Sequence, residues 1–281
     1  MTPKPNHAIV PNVRFFNEKQ QYYLDFLLAM TEKEIKARYK FAVLGFLWIV
    51  LNPLLQMLVM GFVFQFFVPV KVDNYFLFLF TGLLPWNFFA MTVTKCTPAI
   101  VFERSLIQKA KFPRESIVLS IVLSNLFHFL IAFMLLLAAL IANKIITDHF
   151  SLDHIFLYSV NMFWTVPLIV WLVLLTAGFS LLTSALNVKY RDINFIIQAI
   201  MPLWFYGTPI VYALNLIPAR FHWVFLFNPT AAIIEGFQVV LLNQSFTSMQ
   251  MVLVNGLIAI SILVVGWWYF QKEAKFFDDW M

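Results

Sequence analysis

Two kinds of side chain in this sequence could take part in chemistry. Basic residues stand beside one long apolar run, and a carboxylate lies within another apolar run. Arg38 and Lys40 stand just before the apolar run that begins at Val43. Bases at such a boundary are expected to bind the phosphates of lipid headgroups. Glu235 lies among apolar residues, where a carboxylate is costly and usually functional, unless it lies at an interface that water reaches.

Familiar catalytic and metal-binding motifs do not occur. The eight glycines never form the G-x-x-x-x-G-K loop that cradles nucleotide phosphates, so hydrolysis of a nucleotide by that route is excluded. The five histidines are scattered, and the single Cys96 leaves neither a disulfide framework nor a cysteine cluster for zinc. The sequence therefore favours binding or transport over catalysis.

Composition defines the setting of these residues. With 62% hydrophobic and only 12% charged residues, one globule could not bury the apolar surface of 281 residues. The chain is therefore expected to be an integral membrane protein. A transmembrane helix needs about twenty mostly apolar residues. Six stretches have that length: 43–68, 75–101, 116–142, 155–186, 193–213 and 250–270.

The basic residues predict the orientation of the chain. Most lysines and arginines fall in alternate segments, namely 1–42, 102–115, 189–191 and 271–281, which places both termini in the cytoplasm by the positive-inside rule. The net charge of +5 is thus an orientation signal, and it does not indicate nucleic-acid binding. The first five spans have no mid-span Asp or Glu, which argues against ion-coupled transport. His128, midway along the third span, is expected to form a hydrogen bond with a neighbouring helix.

The stretch between the fifth and sixth spans is unusual. Two apolar segments, 216–227 and 230–242, are separated by Asn228-Pro229, and both are too short to cross a membrane. Counting them as one more span would put the basic carboxyl terminus outside. We therefore expect a re-entrant helical hairpin over 216–242, with Glu235 in its second arm.

Two cytoplasmic segments are suited to contact with another protein. The T-x-x-E sequence from Thr31 to Glu34 predicts a capping box that starts a helix near Glu32. Before it, Tyr23, Phe26, Leu27 and Met30 recur at helical spacing, which predicts an amphipathic interface helix. The second segment, 102–115, is long for a simple turn. A short helix over 103–111 is expected there, separated from the third span by Pro113.

Four groups of motifs around these spans resemble those of one family. The family comprises the membrane subunits of ATP-binding-cassette (ABC) exporters of lipid-linked polysaccharides, which are the O-antigen and teichoic-acid permeases. The resemblance covers residues 38–270. Its motifs are Arg38-Tyr39-Lys40 with Leu44-Gly45, Trp48 and Asn52-Pro53; Lys111-Phe112-Pro113-Arg114-Glu115; Tyr190-Arg191-Asp192; and Asn228-Pro229 with Glu235-Gly236-Phe237.

This resemblance implies which partners the chain has and which of its segments would contact them. Two copies of the chain would work in the bacterial cytoplasmic membrane with two separate ATPase subunits, which bind ATP and magnesium, and would move a lipid-linked polysaccharide. The segment 102–115 would be the coupling helix that docks on the ATPase, and the hairpin with Glu235 would lie at the outer exit. The implied ATPase contacts are Glu103, Arg104, Lys109 and, on the interface helix, Glu34. Arg38 and Lys40 would attract the pyrophosphate of the lipid carrier.

Aromatic residues suit a sugar channel. The C–H face of a sugar ring stacks weakly on an aromatic face, which allows a polymer to slide. The resemblance implies that such residues line a channel between two permease chains, although many aromatics of a membrane protein simply face lipid or pack between helices. The candidates lie in the first, second and fifth spans or at their ends: Tyr39, Trp48, Trp86, Phe89, Trp204, Tyr206 and Tyr212.

Taken together, the sequence predicts an all-α integral membrane protein with an interface helix in 1–42, a six-helix transmembrane domain over 43–270 and a cytoplasmic tail over 271–281. The predicted function is the permease subunit of a polysaccharide exporter. Two alternatives stay open. One is a type 2 ABC exporter of lipids or drugs, and the other is a membrane-embedded glycosyltransferase or acyltransferase.

Overall fold

The structure, a computed structural model, describes residues 18–39, 47–67, 72, 74–109, 112–147, 163–243 and 245–280. Across these ranges the chain is helical or irregular, and no strand occurs. The helices are α1 (Glu18–Tyr39), α2 (Trp48–Phe67), α3 (Tyr75–Cys96), α4 (Ala99–Phe102), α5 (Arg104–Lys109), α6 (Glu115–Thr147), α7 (Thr165–Lys189), α8 (Asp192–Tyr206), α9 (His222–Leu226), α10 (Ala231–Leu242), α11 (Met249–Ala274) and α12 (Phe277–Trp280).

The predicted all-helical membrane architecture is confirmed. Five of the helices, α2, α3, α6, α7 and α11, are long and apolar enough to cross a membrane. They correspond to the first four predicted spans and the last one.

The fifth predicted span is shorter than expected. Helix α8 has 15 residues and ends at Tyr206, whereas the apolar run continues to Ala213. The physical reason is the sequence Gly207-Thr208-Pro209. Proline has no N–H to continue the helical hydrogen bonds, and it disfavours the helical conformation of the residue before it. The chain is therefore irregular from residue 207 to the short 3₁₀ turn at Leu214–Leu216.

Contacts at the helix termini define two ends of the bundle. At the end that holds α4 and α5, which we call the coupling end, the Arg114 guanidinium donates to the carbonyl oxygen of Ala274 in the last turn of α11. At the opposite end, which we call the hairpin end, the Tyr75 hydroxyl at the start of α3 donates to the carbonyl oxygen of Val211 over 2.7 Å. The segment 207–243 therefore packs against the bundle at the hairpin end.

Helix α1 is one continuous helix, so the predicted capping box at Thr31 is wrong. The Thr31 hydroxyl donates to the carbonyl oxygen of Leu27, 2.8 Å away, as a threonine in the middle of a helix does. The predicted apolar face is confirmed, because Met30 is buried and Tyr23, Phe26 and Leu27 are partly buried. The Phe26 ring stacks on Phe112 with centroids 4.6 Å apart, which attaches α1 to the segment that leads into α6.

Two short helical arms occupy the region of the predicted hairpin. Residues 219–226 and α10 are together long and apolar enough to cross a membrane, but the two arms are bent by 111° at Asn228-Pro229. Helix α10 packs into the bundle: Gln238 lies close to Gly82 of α3, and Phe237 packs on Phe129 and Phe133 of α6. A sharp bend of this kind fits a broken span or a re-entrant loop, and re-entry stays a prediction.

Helices α7 and α11 cross at two glycines. A Cβ atom on Gly178 would lie 2.6 Å from the Leu263 Cα, and one on Gly266 would collide with the backbone oxygen of Gly178. Small residues of this kind allow transmembrane backbones to approach closely.

We expect Gly266→Ala to lower the free energy of unfolding by about 2 kcal/mol, because the backbone that meets the new methyl group cannot move away without separating the helices. Thermal unfolding of the purified protein in detergent measures this change. Gly256→Ala on the same helix is the matched control, since its Cβ would meet only Trp171 Cζ2 at 3.7 Å. Equal melting temperatures for the two variants would contradict the proposed close crossing.

Candidate functional site: a cavity at Arg38

The last turn of α1 brings Arg38 between transmembrane helices. Helix α1 follows the first half of α6, from the Phe26–Phe112 contact to His128. His128 lies thirteen residues into α6 from Glu115, which corresponds to about 20 Å along the helix. The guanidinium therefore lies about 20 Å along α6 from its first residue, level with Thr92 in the last turns of α3.

Two neutral side chains of α6 hold the guanidinium. Arg38 Nη2 donates to Asn125 Oδ1 over 2.7 Å, and Arg38 Nη1 lies 2.9 Å from His128 Nδ1. Because a guanidinium has donors only, His128 Nδ1 must be the acceptor, which requires a neutral imidazole. Asn125 is fixed in turn, since its Nδ2 donates to Thr92 Oγ1 over 3.0 Å. The predicted hydrogen bond between His128 and a neighbouring helix is thus confirmed.

No carboxylate among the described residues balances the charge of Arg38. Among the salt bridges between described residues, none involves Arg38, and the undescribed residues 40–46 include no acid. The acid one helical turn earlier, Glu34, accepts instead from Lys95 Nζ at 2.6 Å. A cation at this depth is costly without a counter-charge, so the site favours an anion.

A cavity of about 350 Å³ opens beside Arg38. One wall is the start of α2, with Trp48 and Asn52, and the others are α3 and α6. Asn87 of α3 also lines it, and its Nδ2 donates to Gln56 Oε1 of α2 over 2.7 Å. Among the described residues, the cavity therefore combines one cation, several amides and the aromatic rings of Trp48, Phe88 and Phe129. The two phenylalanines are buried, whereas Trp48 is 49% exposed. Its lining residues are Arg38, Trp48, Ile49, Asn52, Pro53, Leu84, Asn87, Phe88, Met91, Asn125, His128, Phe129 and Ala132.

This arrangement can bind a charged or polar group. It does not assemble a metal centre, since no three residues of the types His, Cys, Asp and Glu converge anywhere in the described part of the chain. The volume is sufficient for a headgroup or for one or two small rings.

The sequence profile of ABC-2 type transporters matches residues 26–242, a range that contains α1, the cavity and the hairpin. The chain belongs to the ABC-2 type transporter family. It is therefore the membrane subunit of an ABC transporter, a multi-pass protein that works with an ATPase and is not itself an enzyme.

Three relatives of this ABC-2 chain cover most of its length. An O-antigen export system permease protein, RfbA of Klebsiella pneumoniae, is 33% identical over 258 residues, which are 89% of this chain and 93% of the relative. The RfbA protein of Myxococcus xanthus is 28% identical over 271 residues, 95% of this chain and 99% of the relative. The polysialic acid transport protein KpsM of Escherichia coli is 21% identical over 210 residues, 74% of this chain and 77% of the relative.

The predicted ATPase contacts of the transporter lie near the coupling end, and two of them are already paired within the chain. Lys33 Nζ donates to Glu103 Oε1 at 2.6 Å, and Lys95 holds Glu34. The first pair connects α1 to the segment between α4 and α5, and the second connects α1 to the last turn of α3. Arg104 and Lys109, at the two ends of α5, are exposed and open to contact with another protein.

Two of the predicted channel aromatics are in the interior of the transporter chain instead. Phe89 is 0% exposed, and Trp86 is buried. They pack edge-to-face against Trp204 and Phe179 in one aromatic cluster. As core residues they stabilise the contact of α3 with α7 and α8. Both side chains are covered within the chain in this conformation, and a place for Trp86 and Phe89 in a wall between two chains stays a prediction.

The other aromatic candidates have mixed positions. Tyr206 is 58% exposed at the end of α8, and its carbonyl oxygen accepts from the partly buried Tyr212 hydroxyl over 2.9 Å. Trp204 is partly buried, and its Nε1 donates to Asn228 Oδ1 over 2.9 Å. The side chain of Tyr39 and the whole of Lys40 lie outside the described residues.

Several residues of the cavity were missed from the sequence. Asn52 and Asn125 were not singled out as binding residues, and neither was Asn87. The available signal was their polarity: each is an amide within an otherwise apolar span. Glu235, the remaining candidate, is buried at the hairpin end, away from the Arg38 cavity.

Proposed function

We propose that this chain is the permease subunit of an exporter of a lipid-linked polysaccharide, and that the Arg38 cavity receives the phosphate-bearing head of the lipid carrier. The relatives named above support the substrate class. The observation that carries the cavity assignment is Arg38 itself, a cation inside the bundle that has two neutral partners and, within the part of the chain that the structure describes, no carboxylate. A phosphate or diphosphate supplies the missing counter-charge.

The geometry of Arg38 suits a phosphate. An Arg guanidinium presents five donors in a planar fork that matches phosphate oxygens, and two of its nitrogens are fixed by Asn125 and His128. The side chain is therefore held in position before the ligand arrives. Lys40, which lies outside the described residues, stays a predicted second cation for the carrier headgroup.

Aromatic groups beside the cation suit the sugars that follow the phosphate. Trp48 lines the cavity with half its surface exposed, so a sugar ring attached to the diphosphate can stack on it. Tyr206, whose carbonyl oxygen accepts from the Tyr212 hydroxyl, is the corresponding exposed group at the hairpin end, and Trp204 lies two residues earlier on the same helix. These residues would line a channel for the glycan.

The channel itself would require two copies of the chain. Helix α2 exposes Phe62 and Phe66, and α8 exposes Phe195 and Leu203. These uncovered apolar faces fit a homodimer in the cytoplasmic membrane. The homodimer would bind two ATPase subunits, and both termini of each permease chain would lie in the cytoplasm. In that arrangement α5 docks on the ATPase, and the hairpin is re-entrant on the outer side.

Deletion of the gene in its source strain tests the proposed function. We expect surface polysaccharide to disappear while lipid-linked polymer accumulates inside the cell, and the wild-type gene to restore export. The purified chain alone should hydrolyse no ATP, and hydrolysis should appear when the ATPase subunit is added. Unchanged surface polymer in the deletion strain, without internal accumulation, would exclude this substrate class.

A further inference from the structure

A second cavity lies at the hairpin end and has a different chemistry. It has a volume of about 510 Å³ and is formed by the loop before the hairpin, by α10 and by the segment that precedes α11. We call it the Glu235 cavity. Its lining is mostly polar, in contrast to a chain that is 62% hydrophobic. The lining residues are Ala213, Leu214, Asn215, Glu235, Gln238, Val239, Asn243, Ser245 and Thr247.

Glu235 is the one ionisable residue among them, and it is 4% exposed. Its Oε1 accepts from the backbone N–H of Thr247 over 2.9 Å. Its Oε2 is buried and has no hydrogen-bond partner among the described residues. An ionised carboxylate accepts up to four hydrogen bonds, and an unsatisfied buried one is costly. The bond from Thr247 makes Oε1 an anchor for the loop, whereas Oε2 has no donor among the described residues.

The lining selects among ligand classes. None of the described lining residues is Lys, Arg or His, so a phosphate would meet the repulsion of Glu235 with no cation among them to offset it. A lone carboxylate is also a poor site for a divalent cation, which prefers several oxygen ligands with more than one charge. A neutral molecule rich in hydroxyl groups fits better. Its hydroxyls can donate to Glu235, and they can both donate to and accept from the amides and hydroxyls of the other lining residues.

We propose that the Glu235 cavity is a subsite for a neutral sugar unit of the exported glycan, with Glu235 as the acceptor of its hydroxyl groups. This inference rests on the proposed function and deepens it. The two ends of the transporter then have opposite preferences. The Arg38 cavity attracts the charged head of the substrate, and the Glu235 cavity accepts only its uncharged sugars.

Binding to the purified protein tests the subsite without requiring transport. The probe is a set of short oligosaccharides released by mild acid from the surface polysaccharide of the source strain. Saturation-transfer NMR is measured in lipid nanodiscs, because maltoside detergents would themselves supply sugar. We expect a signal with wild type that weakens about tenfold in Glu235→Gln, since a hydrogen bond to a charged acceptor is lost. Glu273→Gln, which removes a buried carboxylate near the end of α11, is the matched control and should bind as wild type does.

Stability separates binding from a structural role. Glu235→Gln retains an oxygen that can accept from Thr247, so its melting temperature should match wild type. Glu235→Ala removes that anchor and should melt lower. If wild type gives no signal with the oligosaccharides, or if Glu235→Gln binds as wild type does, the sugar subsite is overturned.

Export in the deletion strain completes the test. Wild-type complementation that fails to restore surface polymer would contradict the proposed function. Complementation that succeeds, together with a Glu235→Gln strain whose polymer is unchanged in amount and length, would contradict the subsite alone. We expect the Glu235→Gln strain to export several-fold less polymer at equal membrane levels of the protein.

Discussion

Replacement of Arg38 by Gln should reduce surface polysaccharide by more than about tenfold, with lipid-linked polymer accumulating inside the cell. The change removes the charge that the carrier phosphate would neutralise, and a hydrogen bond to a charged group contributes about 1.5–3 kcal/mol. Arg38→Lys should give an intermediate result. It retains a cation but loses the planar fork that spans Asn125 and His128. Quantification of polymer on the cell surface and in the cell interior measures both effects.

The control for Arg38 lies on the same helix. Lys36 is exposed and pairs with Glu32 one turn earlier, and the hydrogen bond from Lys36 lowers the pKa of the Glu32 carboxyl. An exposed pair of this kind contributes little to stability. Lys36→Ala should therefore export polymer as wild type does. Normal export by Arg38→Gln would show that the cavity does not bind the carrier through its cation.

The second large effect is expected on stability, at Asn228. The side chain lies between the end of α8 and the hairpin and uses every polar atom. Its Oδ1 accepts from Trp204 Nε1 and from the backbone and hydroxyl of Thr230, while its Nδ2 donates to the Gly207 carbonyl and the Thr208 hydroxyl. Asn228→Ala should lower the free energy of unfolding by about 3 kcal/mol, because several buried groups lose their partners together.

Asn228→Asp should also be destabilising, because it removes both Nδ2 donors and places a charge in a buried site. Gln198→Ala is the control: it removes an amide that makes one exposed hydrogen bond, to Asn194 over 3.2 Å. Thermal unfolding of the three purified variants in the same detergent measures the difference. If Asn228→Ala and the control have the same melting temperature, the junction between α8 and the hairpin does not depend on this hydrogen-bond network.

The sequence predicted the helices well where length and apolarity alone decide. Runs of twenty apolar residues cross a membrane whatever their neighbours, which is why α3, α6 and α11 lie close to the predicted spans. The predictions were wrong where a local signal had two meanings. Thr31 followed by Glu34 resembles a helix start, but the side chain of Thr31 can equally donate to the carbonyl of Leu27 within a longer helix.

The site was predicted less completely than the fold. Arg38 was found because it is charged and lies beside a span. Its partner Asn125 is 87 residues away in sequence, and no local pattern indicates that α1 follows α6 so far into the bundle. The aromatics show the same limit. Trp48 and Trp86 are equally apolar in sequence, but one lines a cavity and the other packs in the core, since the side of a helix that faces its neighbours depends on tertiary packing.

Helix α2 makes one wall of the Arg38 cavity, yet along its whole length only Gly61 is buried within the chain, against the ring of Phe76. Gly61 lies thirteen residues from Trp48, or about 20 Å along the helix. Partly buried side chains along α2, including Leu54, Met57 and Phe64, pack against the core, and Gln56 is hydrogen-bonded to Asn87 of α3. A rigid tilt of about 10° around Gly61 would move Trp48 by about 3 Å, and it would have to shift these contacts as well. The width of the cavity mouth is therefore coupled to the packing of α2 on the core.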